Sequence, residues 1–326
     1  MMRRLASIPL SLAGVAIFLG GCAAFVHESK QGYIRVKAAA LAAQIEITLE
    51  NSFIETYKDR ATIAAAFTID KADRRPHPAF WDGDFHLAGR APAIGLPVVA
   101  EIQNAVFEQD AVERVRGVAG TGKPIGLAGA WRLWSEHVGK AAEVQGEDLP
   151  AGEATNPDHV FEIHPVTRVD DRKVLGSFHP VEGYRPGRAE IVFKLLENAR
   201  CRIAAQGRMT TLVIPTGQSN DVEFLLEVGQ DRQLVVADGR FVSGSILDLK
   251  GNLLVRKVRM VLVKDTPPEM KIRILRPGDR VHVFGLPRID LSTVSWRVRH
   301  AKENPELLSL NLPYEIIIVG VYADLD

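Results

Sequence analysis

Apolar and polar residues alternate along much of this chain, which is the pattern of half-buried β-strands. The alternation begins at 45–50, where isoleucine or leucine stands at every second position. Up to residue 169, the pattern predicts further elements in the following order: strands 62–69, 84–88 and 97–102, a helix at 109–116, and strands 125–134 and 160–169. Three strands, one helix and two strands is the element order of an OB-fold barrel, whose helix lies between its third and fourth strands.

A cluster of glycine and proline residues between 176 and 188 separates this region from a second one. After it, the pattern predicts a helix that starts at 191 and extends as far as 204. Strands follow at 211–214, 222–228, 234–236, 253–263, 281–284 and 314–321. The chain is therefore predicted to be mainly β, with an OB-fold-like barrel over 45–175, a linker over 176–188, and a second β-rich domain, barrel or sandwich, over 189–326.

Composition and charge fit a globular protein without a general affinity for polyanions. The chain has 326 residues, of which 46% are hydrophobic and 25% charged, unlike disordered chains or polytopic membrane proteins. Because 40 Lys and Arg balance 40 Asp and Glu, no long-range field attracts nucleic acid, and we expect nucleic acid not to be a partner. Of the two cysteines, Cys201 lies among apolar residues and is predicted to be a buried thiol.

The N-terminus has the features of an export signal. Two arginines at positions 3 and 4 precede an apolar run over 5–19, which is too short and too early for a membrane-spanning helix. The run ends in the motif Leu19-Gly20-Gly21-Cys22. This motif resembles the lipobox of bacterial lipoproteins.

The lipobox resemblance implies how the chain is processed and where it resides. It implies that the signal peptide 1–21 is removed, that Cys22 carries lipid, including palmitate, and that residues 22–44 form a tether. Several acyl chains hold a protein firmly on a membrane, whereas one holds it only marginally. We therefore expect the protein to be lipid-anchored in the cell envelope. Ala23 after the cysteine favours the periplasmic face of the outer membrane if the host is Gram-negative.

Carboxylates and imidazoles recur at the starts and ends of the predicted strands of the first region. The set consists of Asp82, Asp84, His86, Glu101, Glu162 and His164. Because side chains alternate along a strand, the first three share one face, and so do Glu162 and His164. Two interpretations remain open. In the first, the groups bind a divalent metal or perform acid–base hydrolysis. In the second, they form a polar network that connects the strands.

The same segments carry a second resemblance. The stretches 82–87, 100–102 and 162–166 resemble motifs of a poorly characterised group of bacterial OB-like proteins, over about residues 60–170. The Asp-Gly-Asp at 82–84 is also similar to staphylococcal-nuclease-like OB folds, which implies metal-assisted hydrolysis by the six residues. The chain departs from the nuclease pattern because its nearest Asp-Thr-Pro-Glu segment, at 265–269, lies in the other half and carries an extra proline.

Aromatic and basic residues suggest further surfaces. On the strand 125–134, Trp131 and Trp134 flank Arg132, and an exposed Trp beside Arg can stack a sugar or a base, although such a strand also fills a barrel core. Arg297 and Arg299 are predicted to share one face of a strand.

Together these features predict a non-catalytic binding or scaffolding lipoprotein of the cell envelope with no resident cofactor. Its expected partners are the membrane, through lipid on Cys22, and an envelope protein or glycan. The alternative is a metal-assisted hydrolase with a nuclease-like OB fold.

Overall fold

The computed structural model describes residues 43–139, 141–147, 152–231 and 233–323. The predicted signal peptide, Cys22 and nearly all of the tether lie outside these residues. The strands are β1 Gln44–Glu50, β2 Thr62–Ala72, β3 Phe85–Arg90, β4 Val98–Ile102, β5 Pro124–Leu133, β6 Glu143–Val144, β7 Phe161–Val169, β8 Arg172–Lys173, β9 Arg200–Gln206, β10 Met209–Pro215, β11 Val222–Val228, β12 Leu234–Val236, β13 Gly239–Leu247, β14 Leu253–Val263, β15 Arg280–Ile289, β16 Ser309–Asn311 and β17 Tyr314–Val321. The α-helices are α1 Asn51–Tyr57, α2 Gln109–Val118, α3 Ala189–Asn198, α4 Pro267–Ile272 and α5 Leu291–His300, and 3-10 helices lie at Ala105–Phe107 and Pro305–Leu308. The predicted mainly β class is confirmed.

Strands β2, β3, β4, β7 and β5 close a five-stranded barrel in that order, and β5 pairs back with β2. The contact between β4 and β7 is parallel and the others are antiparallel. Helix α2 lies between the third and fourth barrel strands in the chain. This is the topology of the OB fold, as the order of predicted elements indicated.

A second barrel repeats this arrangement in the other half of the chain. Its strands close in the order β11, β13, β14, β17 and β15, and β15 pairs back with β11. The third and fifth strands, β14 and β17, are again parallel, and α4 lies between the third and fourth strands. The second half, for which the sequence left a barrel or a sandwich open, is therefore also an OB barrel.

A third sheet combines segments from across the chain in the order β16-β9-β10-β1-β6. Strand β1 precedes the first barrel but pairs antiparallel with β10 along its whole length. The helix predicted from 191 ends at Asn198, and residues 200–206 form strand β9 instead of continuing it. Pairing with β10 outweighs helix propensity here, because Cys201 and Ile203 alternate with exposed arginines.

Helix α5 corrects the strand predicted around Arg297 and Arg299. Asp290 caps its N-terminus by accepting a hydrogen bond from the Thr293 backbone N–H at 3.0 Å. Residues two apart on a helix point in different directions, unlike those on a strand. Arg297 is accordingly buried and donates to the Asn311 carbonyl at 2.9 Å, whereas Arg299 is exposed.

The two barrels pack against each other through their outer faces. An apolar cluster separate from the main core joins them, formed by Ala61, Ala130, Phe178, Phe241, Val261, Val263, Phe284, Leu286, Ile317 and Val319. Their strand neighbours Val242, Met260, Val283 and Ile316 belong to the main core. Because side chains alternate across a strand, each barrel has a filled interior and a second buried face that meets the other barrel.

Candidate functional site

The outer face of the first barrel carries a cluster of ionisable side chains under the second barrel. In β3, Phe85 and Leu87 belong to the main core, so His86 between them points outward. The register places His86 opposite Glu101 on β4. It also places Arg132 of β5 opposite Glu162 of β7. Strand pairing therefore assembles residues that are far apart in the sequence into one layer.

His164 lies at the centre of this cluster. Its Nδ1 lies 3.1 Å from Glu101 Oε2 and 3.2 Å from Glu162 Oε2, and its Nε2 lies 3.5 Å from Asp84 Oδ2. Glu101 also approaches His86, with Oε1 3.4 Å from the histidine Nε2. Glu101 of β4 thus bridges an imidazole on each neighbouring strand, His86 of β3 and His164 of β7.

Five of the six candidate residues from the sequence meet in this cluster: Asp84, His86, Glu101, Glu162 and His164. All five are buried, with no more than 6% of each residue exposed. Asp82 lies at the rim, where its side chain is 30% exposed and its Oδ1 lies 2.9 Å from His77 Nδ1. The structure therefore brings the predicted set together and encloses most of it.

The six candidates chosen from the sequence left out two members of the cluster, Asp73 and His159. Asp73 Oδ2 lies 3.3 Å from His86 Nδ1, and His159 Nε2 lies 3.1 Å from Glu162 Oε1. Asp73 belongs to a connection outside the strands, and His159 stands just before β7. Strand alternation cannot select such residues, although the three-residue spacing of His159 from Glu162 was visible in the sequence.

Arg132 connects the cluster to the second barrel. Its Nη1 donates to Glu162 Oε2 at 2.9 Å and to Oε1 at 3.2 Å. Its Nε donates to the Pro287 carbonyl at 2.9 Å, and its Nη2 donates to the Asn220 carbonyl at 2.8 Å. A single buried guanidinium therefore neutralises a carboxylate of the first barrel. It also donates to one backbone carbonyl within the second barrel and to another just before its first strand.

Arg288 makes the reciprocal connection from the second barrel. It pairs with Glu315, with Nε donating to Oε1 at 2.7 Å, and its Nη1 donates to the Trp131 carbonyl at 2.8 Å. Its guanidinium also lies 3.5 Å from the centre of the Trp131 ring, a cation–π contact. In each barrel, an arginine of the fourth strand faces a glutamate of the fifth in register and donates to the backbone of the other barrel.

The three residues predicted to stack a ligand are buried next to the interface between the barrels and are not on the protein surface. Trp131, Arg132 and Trp134 are each no more than 1% exposed. The Trp131 indole N–H donates to the Arg60 carbonyl at 2.7 Å, and that of Trp134 donates to the Ser219 carbonyl at 3.0 Å. The expectation of an exposed Trp–Arg stack is thereby corrected, because the interior of the first barrel covers one face of β5 and the second barrel covers the other.

The electrostatics of the cluster follow from its contacts. Both ring nitrogens of His159 face acceptors, since Nδ1 lies 2.7 Å from the Pro157 carbonyl and Nε2 faces Glu162, so both must carry protons. Burial lowers the pKa of His159, but Glu162 outweighs this effect and raises it above its usual value. Burial opposes ionisation of Glu162, yet Arg132 and the histidines hold its pKa well below the usual range.

The pKa values of Asp84 and His164 also depend on burial and on neighbouring charges. Burial raises the pKa of Asp84 well above its usual value, because the attraction of His164 does not compensate for lost hydration. Burial lowers the pKa of His164, but the surrounding carboxylates, Glu101 first, raise it overall. Both groups therefore favour their protonated forms, Asp84 because of burial and His164 because of the carboxylates around it.

The described residues contain three groups whose side chains are close enough to share a metal ion. They are Asp73 with His77 and His86, Asp84 with Glu101 and His164, and Glu101 with His159 and Glu162. Next to the second group lies a cavity of about 10 Å³. This is room for about one water molecule and too small for an organic substrate.

The surfaces that OB folds generally use for ligands are partly covered here. Oligonucleotides and oligosaccharides bind to the outer face of the second and third strands of an OB fold and to adjacent loops. In the first barrel these strands are β3 and β4, whose outward His86 and Glu101 are buried. In the second barrel they are β13 and β14, whose Phe241 and Val261 belong to the cluster between the barrels.

No protein-family model matches the chain, and no curated protein matches it. Among solved structures, it is similar to a deletion mutant of the single-stranded DNA binding protein from Thermus aquaticus, with 11% identity over 81% of this chain and 93% of that one and a TM-score of 0.22. It is also similar to a replication protein A heterotrimer bound to ssDNA, with 11% identity over 78% of this chain and 54% of that one and a TM-score of 0.19. At these TM-scores the likenesses support no argument about function, and the OB assignment rests on the strand order.

No helix in the described part of the chain has the length and apolar character needed to cross a membrane.

Proposed function

We propose that this protein is a non-catalytic binding module of the cell envelope, held on a membrane by lipid at Cys22 and built from two OB barrels locked face to face. The observation that carries the proposal is the burial of the acidic and histidine cluster between the barrels. A hydrolase that used these groups would need an open position for substrate and water. The adjoining cavity of about 10 Å³ offers no such space.

The cluster serves to join the barrels. Arg132 and Arg288 each span the interface, and buried polar groups fully paired in this way rigidify a structure. Their pairing with Glu162 and Glu315 leaves neither guanidinium free to contact a ligand. Binding therefore uses surfaces elsewhere on the barrels.

An exposed aromatic surface on the first barrel is the best supported binding surface. Phe80 and Trp81, in the loop between β2 and β3, are 67% and 60% exposed, and Val106 and Phe107 of the neighbouring 3-10 helix are 59% and 64% exposed. The Ala105 N–H donates to the Gly83 carbonyl at 2.9 Å and holds the two segments together.

The composition of this aromatic surface favours a protein partner. The arginines at 74 and 75, on the same loop as Trp81, are exposed. Tryptophan and arginine are enriched among the residues that dominate binding energy in protein interfaces. The loop between the first two strands is also one of the loops through which OB folds bind ligands. We assign the surface to an envelope protein, and the lipid on Cys22 would keep it at the membrane where that protein resides.

Burial of the cluster is tested by chemical modification of histidines with diethylpyrocarbonate, followed by mass spectrometry. We expect the half-buried His77, His137 and His300 to react in the folded protein. His159 and His164 are expected to react only after unfolding. Modification of these two at the rate of His300, or hydrolysis of bis-p-nitrophenyl phosphate with Mg²⁺, Mn²⁺ or Zn²⁺ that Asp84→Asn abolishes, would contradict the proposal and favour the hydrolase.

The anchor is tested by metabolic labelling with a palmitate analogue and by membrane fractionation. Wild-type protein is expected to carry the label and to sediment with membranes. Cys22→Ser is expected to lose the label, while Cys201→Ser is the matched control and keeps it. An unlabelled wild-type protein with an unprocessed N-terminus would contradict the lipoprotein assignment.

The aromatic surface is tested by a photo-crosslinking amino acid placed at position 81 in cells, with position 296 as the matched control, since Trp296 is also exposed. We expect one discrete adduct with an envelope protein from position 81 and none from position 296. Phe107→Ala should reduce that adduct. Equal crosslinking from both positions would reject the surface, and protection of an oligonucleotide at low salt would instead favour a nucleic-acid ligand.

A further inference from the structure

A small cavity between the barrels is lined by polar and ionisable groups together with the apolar side chains of Val181, Phe284 and Leu286. It has a volume of about 10 Å³ and is bordered by the carboxylates of Asp82, Asp84 and Asp221 and by His164. Of the described residues, no lysine or arginine lines it. Asp82 lies at the rim of the cavity, and its side chain is 30% exposed.

Several polar atoms at this cavity have no hydrogen-bond partner among the described residues. They are His164 Nε2, Gln103 Oε1 and Asn220 Oδ1. His164 and Gln103 are each only 2% exposed, so bulk water does not satisfy these atoms. Buried polar atoms without partners are costly and call for a bound water or ion.

The surroundings of His164 are those of a metal ligand. Its Nδ1 faces Glu101 and Glu162, which hold a proton there, so Nε2 is the ring nitrogen left to face Asp84 and the cavity. Histidines that ligate metals nearly always donate their other ring N–H to a carboxylate or carbonyl in this way. The negative charge of these carboxylates also favours a metal cation beside His164.

The distances fit an ion between the barrels. His164 Nε2 and Asp84 Oδ2 lie 3.5 Å apart, too far for a good hydrogen bond. Two ligands at ~2.1 Å from a tetrahedral ion are separated by roughly 3.4 Å. We propose that the cavity binds one divalent transition-metal cation of the Zn²⁺ or Mn²⁺ class, ligated by His164 and Asp84, with amide oxygens of Gln103 and Asn220 completing the site.

This cation would be structural, because its ligands come from both sides of the interface. Asp84, Gln103 and His164 belong to the first barrel, whereas Asn220 lies two residues before the start of β11 in the second. The ion would connect the barrels beside the arginine contacts without offering an open position to substrate. The proposal is independent of the aromatic surface and of the lipid anchor.

The test uses the full chain in detergent, with metal content measured by plasma mass spectrometry before and after EDTA, and with Zn²⁺ or Mn²⁺ alone as the added ligand. We expect one equivalent of metal per chain, a fall in melting temperature after EDTA, and its recovery with one of the two ions. Co²⁺ bound in its place should show visible absorption bands that depend on His164.

Two variants locate the ion. Asp84→Asn and the milder Asn220→Ala should weaken the affinity for the ion at least about 10-fold. Asp73→Asn is the matched control, because it removes the same charge from the same cluster but does not line the cavity. A folded wild-type protein that holds no metal and gains no stability from either ion would overturn the proposal. Loss of metal in Asp73→Asn but not in Asp84→Asn would also overturn it.

Discussion

Substitution of Arg132 by Met tests whether the buried cluster holds the barrels together. Methionine has a similar length and keeps apolar packing, but it removes every hydrogen bond of the guanidinium. Glu162 would then lie buried with His159 and His164 as its remaining partners, and the carbonyls of Pro287 and Asn220 would lose their donors. The perturbation therefore removes contacts within the first barrel and between the barrels together.

The expected loss of stability follows from these contacts. Removing one member of a buried ion pair costs about 3–5 kcal/mol, because the other charge is left uncompensated. Each buried acceptor without a donor costs about 1–3 kcal/mol more, unless water reaches it. Since the remaining histidines partly compensate Glu162, we expect a total loss of at least about 4 kcal/mol, out of a typical stability of about 5–15 kcal/mol.

Urea denaturation followed by circular dichroism and by tryptophan fluorescence measures this loss. Arg114→Met is the matched control, because Arg114 pairs with Asp170 at 2.7 Å at a partly exposed position, where such a pair is worth no more than about 1 kcal/mol. The double variant Arg132→Met with Glu162→Met should be less destabilised than the sum of the single variants, since Glu162 is then not left without its guanidinium partner. If Arg132→Met cost no more than Arg114→Met, the cluster would not be what joins the barrels.

The equivalent substitution Arg288→Met should cost a similar amount and, unlike Arg114→Met, should change the near-ultraviolet circular dichroism of Trp131; an unchanged spectrum would contradict the cation–π contact. Because the pKa of His159 is raised in the folded state, its contribution to stability is complete below pH ~6.5 and is lost as the pH rises through the folded value. The free energy of unfolding, measured by denaturation over this pH range, should therefore fall less steeply with pH in His159→Gln than in the wild type. Identical slopes in the two proteins would reject a charged His159. Gly129→Ala should lower the melting temperature strongly, because a Cβ there would lie 2.4 Å from the Pro165 carbonyl, whereas Gly117→Ala meets nothing and serves as control. The Cys201 thiol is buried, and burial raises its pKa to about 11, so it should react with a thiol reagent only on unfolding, and fast labelling of native protein would contradict its placement.

Strand alternation predicted the first barrel well because its signal is local. Runs such as Phe161–Val169 carry β-branched or aromatic residues at positions that enter the barrel, and the helix between the third and fourth strands has its own period. The same reasoning failed at 291–300, where Arg297 and Arg299 were assigned by period two although Asp290 offered a helix cap. A short apolar run fits either element, so the cap was the more informative signal.

The candidate cluster was found in part for a similar reason. Alternation indicated that Glu162 and His164 share a face, but only the register shows that Glu162 faces Arg132 and not another residue. The relation between the barrels was also visible in retrospect, since Phe-Glu-Ile at 161–163 and Tyr-Glu-Ile at 314–316 occupy equivalent strands. No fixed period connects them, because the connections within each barrel differ in length.

The sequence alone determined the features that depend on neighbouring residues: the β-rich class, the OB order of the first region, the N-terminal motif that ends in Cys22, and which acidic and histidine residues share a strand face. Tertiary structure decided what covers that face. Residue spacing specifies the direction of a side chain relative to its own strand. Burial of that side chain depends on the second barrel, whose position is determined by shape and by contacts such as those of Arg132 and Arg288. For that reason, the same residues that could have lined an open catalytic cleft lie instead in the interface between two barrels.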